Sequence, residues 1–240
     1  MRYGFFDDDA REYVITRPDT PRPWSNYLGS SEFGGVITNN AAGYTFYRSA
    51  AQGRLTRYKF SAVTADLNGR FIYLRDQEDG DFWSHSWMPA GKPLEEFESE
   101  CRHGTGYTSI RSAYAGIESE ATFFAPLGQL YECWKISVTN RSERARSIQV
   151  FPFLEPQCNW SADDDMRNLQ YTQYVAKTQW ADGLIDIGSN VNMPEDPENF
   201  TNKDQKRHTF FGLAGAQAAG FDGDLVGFLG PYGSYARPES

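Results

Sequence analysis

The chain has 240 residues, with 23 Lys and Arg against 32 Asp and Glu, for a formal charge of -9. Its 40% hydrophobic and 23% charged content belongs to a globular chain able to bury a core, which excludes disorder as the main state. The negative balance repels nucleic acid backbones and anionic membrane surfaces, so neither is expected as a partner. With 17 Phe, 14 Tyr, 6 Trp, 22 Gly and 12 Pro, the composition suits strands joined by many turns, and also a surface that stacks on sugar rings.

In chain order, Asp7-Asp8-Asp9 stands where a signal peptide needs its apolar stretch, so export by that route is not expected. The triplet itself is most simply a solvated turn. Tyr13 to Thr16 is a short β-prone run, and the prolines of 17–23 then force an extended path into Trp24. Phe33 to Asn39 and Gly43 to Tyr47 are two more strands around the turn-like Asn39-Asn40-Ala-Ala-Gly43. Phe71 to Leu74 follows the tight-turn dipeptide Asn68-Gly69. Pro93 to Glu100 allows two helical turns with Glu95, Glu96 and Glu98 outward.

Gly116 to Pro126 encloses another strand. The clearest hairpin spans Tyr131 to Phe153: Trp134, Ile136 and Val138 alternate with Lys135, Ser137 and Thr139, the chain turns near Asn140, and Ile148 and Val150 resume the alternation. Gly183 to Gly188 and His208 to Leu213 are shorter strands, and Phe221 to Leu229 is a last one before the sequence stops at Ser240 in what looks like an unfinished domain. No internal repeat is visible, and no run approaches the roughly 18 apolar residues needed to cross a bilayer. The fold class expected is all-β, a large antiparallel β-sandwich with few short helices.

Cys101, Cys133 and Cys158 are odd in number and lack CxxC spacing, which favours buried free thiols over a disulfide framework or a zinc site. His85, His103 and His208 have no metal-ligand spacing, so no metal is expected. There is no GxSxG motif, and Gly104-Thr-Gly106 lacks the third glycine and the lysine of a phosphate loop and is read as a turn. Around Asp163-Asp164-Asp165, the residues Asn159, Trp160, Asn168 and Gln170 combine an aromatic plate with carboxylates and amides, the groups that bind sugars. An acidic surface loop with a packing tryptophan explains them equally well. Trp83 and Trp87, in the loop Asp81 to Trp87, either line a groove or pin that loop to the core. Asp196 to Asn199 and Asn202 to Asp204 carry oxygen ligands without EF-hand spacing, a weak case for calcium.

Tyr3-Gly-Phe-Phe-Asp-Asp8, Arg11-Glu-Tyr-Val-Ile-Thr16, Pro23-Trp-Ser-Asn-Tyr-Leu-Gly29, Arg54-Leu-Thr-Arg-Tyr58, Asp81-Phe-Trp-Ser84, Cys101-Arg-His-Gly104 and Ala121-Thr-Phe-Phe-Ala-Pro126 together resemble the N-terminus of the inverting disaccharide phosphorylases of glycoside hydrolase family 94, formerly glycosyltransferase family 36. The resemblance covers almost the whole chain and weakens after about Gln179. It implies a galactose-mutarotase-like super-sandwich, residues 1–240 being most of that N-terminal domain, cut short at its C-terminal end and without the catalytic (α/α)6 barrel. Members cleave a β-linked disaccharide such as cellobiose with inorganic phosphate to give an α-sugar-1-phosphate, with no cofactor. A single aspartic acid, in the barrel, protonates the leaving oxygen, so no catalytic residue is expected in this chain.

Members are cytoplasmic homodimers in which the sandwich of one subunit helps wall the partner's active site. The stretch 157–170 resembles the cellobiose-type pattern, which makes Asn159, Trp160, Asp164, Asp165, Asn168 and Gln170 a substrate-binding rim. It departs from the family at Asn159 and Ser161, and Gly34-Gly35 stands where bulkier residues are common. The competing readings are a free-standing carbohydrate-binding module without catalysis, and a structural domain whose aromatics are all core.

Overall fold

The computed structural model describes residues 2–29, 31–57, 69–157, 176–189 and 208–239. They form fifteen strands and one short helix, and every pairing between named strands is antiparallel. The chain divides into two compact units, Met1–Arg48 with Thr56–Glu155, and Ser49–Leu55 with Pro156–Ser240.

The first unit is organised by a six-stranded sheet containing β1 (Gly4–Asp7), β2 (Glu12–Ile15), β8 (Glu98–Gly104), β9 (Tyr107–Tyr114), β10 (Ile117–Phe124) and β11 (Cys133–Asn140), in the order β1-β2-β8-β9-β10-β11. Its two faces follow from the period-two alternation of strand side chains. On β10, Ile117, Ser119, Ala121 and Phe123 are buried while Glu118, Glu120, Thr122 and Phe124 are not. Register carries the pattern across the sheet, so that Ile15, Cys101, Ile110, Ala121 and Ile136 form one continuous inward row over five strands. On the opposite face Glu100, Arg111 and Glu120 lie side by side, a charged ladder suited to water.

Two three-stranded sheets complete this unit. One, in the order β12-β6-β7, contains β6 (Arg70–Asp76), β7 (Phe82–Ser84) and β12 (Ile148–Leu154). The other has β4 (Phe33–Thr38) between β3 (Ser25–Gly29) and β5 (Gly43–Tyr47). β6 is buried on both faces: Ile72 and Leu74 enter two clusters with the inward rows of the large sheet, while Phe71 stacks on Phe153 with ring centroids 5.8 Å apart. The proline run is held by amides, Asn39 and Asn40 both donating to the Pro18 carbonyl at 3.0 and 3.1 Å. Asn26 holds the β8–β9 turn in the same way, its Nδ2 donating to the carbonyls of Gly104 and Tyr107.

Three expectations about elements are corrected. β11 and β12 exist, but they do not form a hairpin: β11 pairs with β10 and β12 with β6, so residues 141–147 cross between sheets. The crossing is fixed electrostatically, since Arg146 binds the fully buried Asp76 at the end of β6 and Arg144 binds Glu78. Pro93 to Glu100 is not a helix; it makes one turn, closed by Glu96 N–H to the Pro93 carbonyl at 3.0 Å, before Phe97 enters the core and Glu98 opens β8. Phe221 to Leu229 is not a strand but leads into α1 (Leu225–Leu229), because Asp224 Oδ1 accepts from Val226 N–H at 3.0 Å and caps it.

The second unit is built on a meander of β13 (Ala176–Ala181), β14 (Leu184–Ser189) and β15 (His208–Gly212). Trp180, Ile185 and Phe211 are register partners on one of its faces, as are Thr178, Ile187 and Thr209.

Candidate functional site

Asn159, Trp160, Asp164, Asp165, Asn168 and Gln170 lie outside the described residues, as do Asp163, Cys158 and both candidate calcium stretches. What is described is the approach to the rim segment. At the end of β12, Glu155 is clamped by Arg57, whose backbone N–H donates to the Glu155 carbonyl at 2.8 Å and whose Nη1 meets Oε1 at 2.8 Å. Both side chains are buried, so the pair is shielded from screening and fixes where the chain leaves the sheet. The family-like stretch Arg54 to Tyr58 therefore contributes an anchor through Arg57.

The other candidates resolve into structural roles. Trp83 is buried in the cluster with Leu74, Phe97 and Ile117, and Trp87 packs against it while its Nε1 donates to the Lys92 carbonyl at 2.7 Å. The two tryptophans pin their loop to the core. His85 is buried, with Nδ1 2.7 Å from Ser119 Oγ, and Ser119 is 3.0 Å from Ser112. Burial pushes the His85 pKa down to about 4, so the ring is neutral at physiological pH. His103 is also held low by burial, between Thr108 Oγ1 and the Trp24 carbonyl. His208 is exposed beside Asp186.

Asp8 and Asp9 are exposed in the β1–β2 turn, and Gly104-Thr-Gly106 makes the β8–β9 turn with Gly106 at φ 83. Cys101 is buried, whereas Cys133 is only half-buried at the start of an edge strand. Among the described residues no three His, Cys, Asp or Glu side chains are grouped to hold a metal ion. Asp76 is held below the usual carboxylate range first by the Glu78 backbone N–H and then by Arg146; Glu118 is held low first by Arg111 and then by Arg141. Neither keeps a proton near neutral pH for use as a general acid.

Two arrangements were not foreseen from sequence. In the first unit, the fully buried Arg70 is paired with Glu132, which also accepts from Trp134 Nε1 at 2.7 Å and Thr45 Oγ1 at 2.8 Å; Arg70 further donates to the Val36 carbonyl. This node ties all three sheets together. A Cβ at position 35 would sit 2.8 Å from the Tyr44 carbonyl and 3.0 Å from Arg70 Nη2, which is the physical reason for Gly35. In the second unit, Trp180 and Phe221 stack with centroids 5.2 Å apart and planes 17° from parallel, on the wall of a half-open cavity of about 730 Å³.

A family model for the glycosyl hydrolase 94 supersandwich domain matches residues 11–240. The chain belongs to this family. N,N'-diacetylchitobiose phosphorylases of Vibrio furnissii and Vibrio proteolyticus are 39% and 38% identical to it over 238 residues, 99% of this chain and 28% of each relative. Solabiose phosphorylase of Paenibacillus borealis is 30% identical over 244 residues, 99% of this chain and 29% of that protein. The glycosyl hydrolase 94 chain described here thus spans under a third of the length of these relatives. Its antiparallel, all-β architecture is that expected of the supersandwich domain. No helix among the described residues is long and apolar enough to cross a membrane.

Proposed function

We propose that this chain is the N-terminal carbohydrate-binding and dimerisation sandwich of an inverting β-disaccharide phosphorylase. The observation that carries the reading is identity of up to 39% to phosphorylases across 99% of the chain. In the reaction, an oxygen of inorganic phosphate attacks the anomeric carbon from the face opposite the leaving sugar. The glycosidic bond breaks, its oxygen takes a proton from one aspartic acid, and α-sugar-1-phosphate leaves. Phosphate already carries charge and needs positioning rather than activation by a second carboxylate.

The proton donor belongs to an (α/α)6 barrel outside these 240 residues, so this chain by itself does not turn over. Asn159, Trp160, Asp164, Asp165, Asn168 and Gln170 supply a substrate rim to the partner's barrel in a cytoplasmic homodimer. The identity to two diacetylchitobiose phosphorylases supports N,N'-diacetylchitobiose as the disaccharide over the cellobiose-type substrate suggested by the 157–170 pattern.

The test is the sandwich joined to its barrel, assayed on N,N'-diacetylchitobiose and cellobiose with and without phosphate. Sugar-1-phosphate release that requires phosphate, faster on diacetylchitobiose, is expected, and Trp160→Ala raises KM more than it lowers kcat. Phosphate-independent hydrolysis overturns the reading; sugar binding with no turnover in the joined protein leaves the non-catalytic carbohydrate-binding module in its place.

A further inference from the structure

We propose that the cavity of the second unit is a saccharide-binding site that takes the apolar face of a neutral pyranoside on the Trp180–Phe221 plate. The plate is constructed rather than incidental. Trp180 lies two residues from Thr178 on β13, hence on the same face, and the chain after Phe221 passes so close to that strand that a Cβ at Gly223 would collide with Thr178 Oγ1. Gly223 therefore seats Phe221 over the indole. The two rings stack, yet Trp180 and Phe221 remain 40% and 48% exposed, which leaves aromatic surface open to a ligand.

The rest of the lining selects the ligand class. Its volume of about 730 Å³ falls in the range of small-molecule sites, roughly 300–1,000 Å³. Among the described residues no charged side chain lines it, so none of them offers a counter-charge to an anion or a cation. The run Gly215-Ala-Gln-Ala-Ala-Gly220 presents one amide side chain, Gln217, and a backbone that methyl groups and glycines leave uncovered. An apolar plate facing amide and peptide groups matches a pyranose, which has an apolar C–H face and a rim of hydroxyl or acetamido groups. An aliphatic ligand would leave those polar groups unpaired, and a charged one would lose its hydration without a partner.

The residues that line this cavity are different from those of the proposed rim, and sugar binding on them does not depend on phosphorolysis. Saturation-transfer NMR on the 240-residue chain with N,N'-diacetylchitobiose, cellobiose and glucose 1-phosphate tests it. Saturable transfer to the two neutral sugars and none to the phosphate ester is expected. Trp180→Ala should weaken binding about tenfold, the scale of one lost aromatic contact, Trp180→Phe should restore most of it, and Gly223→Val should reproduce the loss without altering a lining side chain. Circular dichroism of each variant separates this from unfolding. Absence of transfer to either neutral sugar overturns the proposal, as does binding that survives both Trp180→Ala and Gly223→Val. So does a Trp180-dependent dimer in sedimentation without sugar binding, which would make the plate a protein contact. Failure of phosphorolysis in the joined protein would leave this result standing.

Discussion

The two units of the chain are held by different means. In the first, apolar rows run unbroken across five strands, Trp83, Phe71 and Phe123 are almost wholly buried, and Arg70–Glu132, Arg146–Asp76 and Arg57–Glu155 are ion pairs with buried side chains. In the second, Ile187 is the one buried apolar side chain among the described residues, while Leu184, Phe210, Leu213 and Val226 are substantially exposed. The same strand chemistry thus yields a closed core in one place and an open apolar face in the other. Alternation alone does not make a core; a second sheet has to cover the inward face.

Substitutions can break or sharpen that contrast. The largest effect is expected from Glu132→Ala, which leaves the fully buried Arg70 without its counter-charge and Trp134 Nε1 without its acceptor. Removing one partner of such a pair costs about 3–5 kcal/mol, measured as the shift in urea midpoint; a cost below about 1 kcal/mol would mean that water reaches the node and that the first unit is no more closed than the second. Next comes acid. His85 is neutral in the fold with its pKa lowered to about 4, against about 6.5 when unfolded, so the unfolded state binds more protons between those values. Its contribution is complete above pH 6.5 and is lost as pH falls toward 4, on the order of 3 kcal/mol in total. Urea midpoints at pH 7 and 4.5 should differ in the native chain and differ less in His85→Leu, where the buried His103 still contributes in the same direction; an equal difference in both refutes the assignment. The smallest effect is expected from Phe210→Ser in the second unit, within about 0.5 kcal/mol, because that ring is already 56% exposed.

Much of the first unit was legible because its strands obey local rules. Ile117 to Phe124 alternates as a half-buried strand must, and Gly43 to Tyr47 matches β5 residue for residue. Partner choice was not legible. Nothing local says that Ile148 to Leu154 leaves β11 for β6, since the decision is taken by Arg146 finding Asp76, 70 residues earlier. The meaning of Gly35 was likewise hidden until Arg70 and Glu132, 62 residues apart, were brought against it. Phe221 to Leu229 carries a strand-like composition, and the cap at Asp224 outweighed it over five residues. Of the site, the sequence pointed to Asn159 through Gln170, which lie outside the described residues, and passed over Trp180 and Phe221, whose stacking depends on a close approach that only Gly223 permits.

The Arg57–Glu155 clamp also imposes an order on synthesis. Its partners are 98 residues apart, so a ribosome adding about 5–20 residues per second needs roughly 5–20 s to deliver Glu155 after Arg57. During that interval β6, apolar on both faces, has been made but its neighbour β12 has not. β7 is made within a few residues and pairs with one edge of β6, but the other edge stays unpaired for seconds, until β12 arrives.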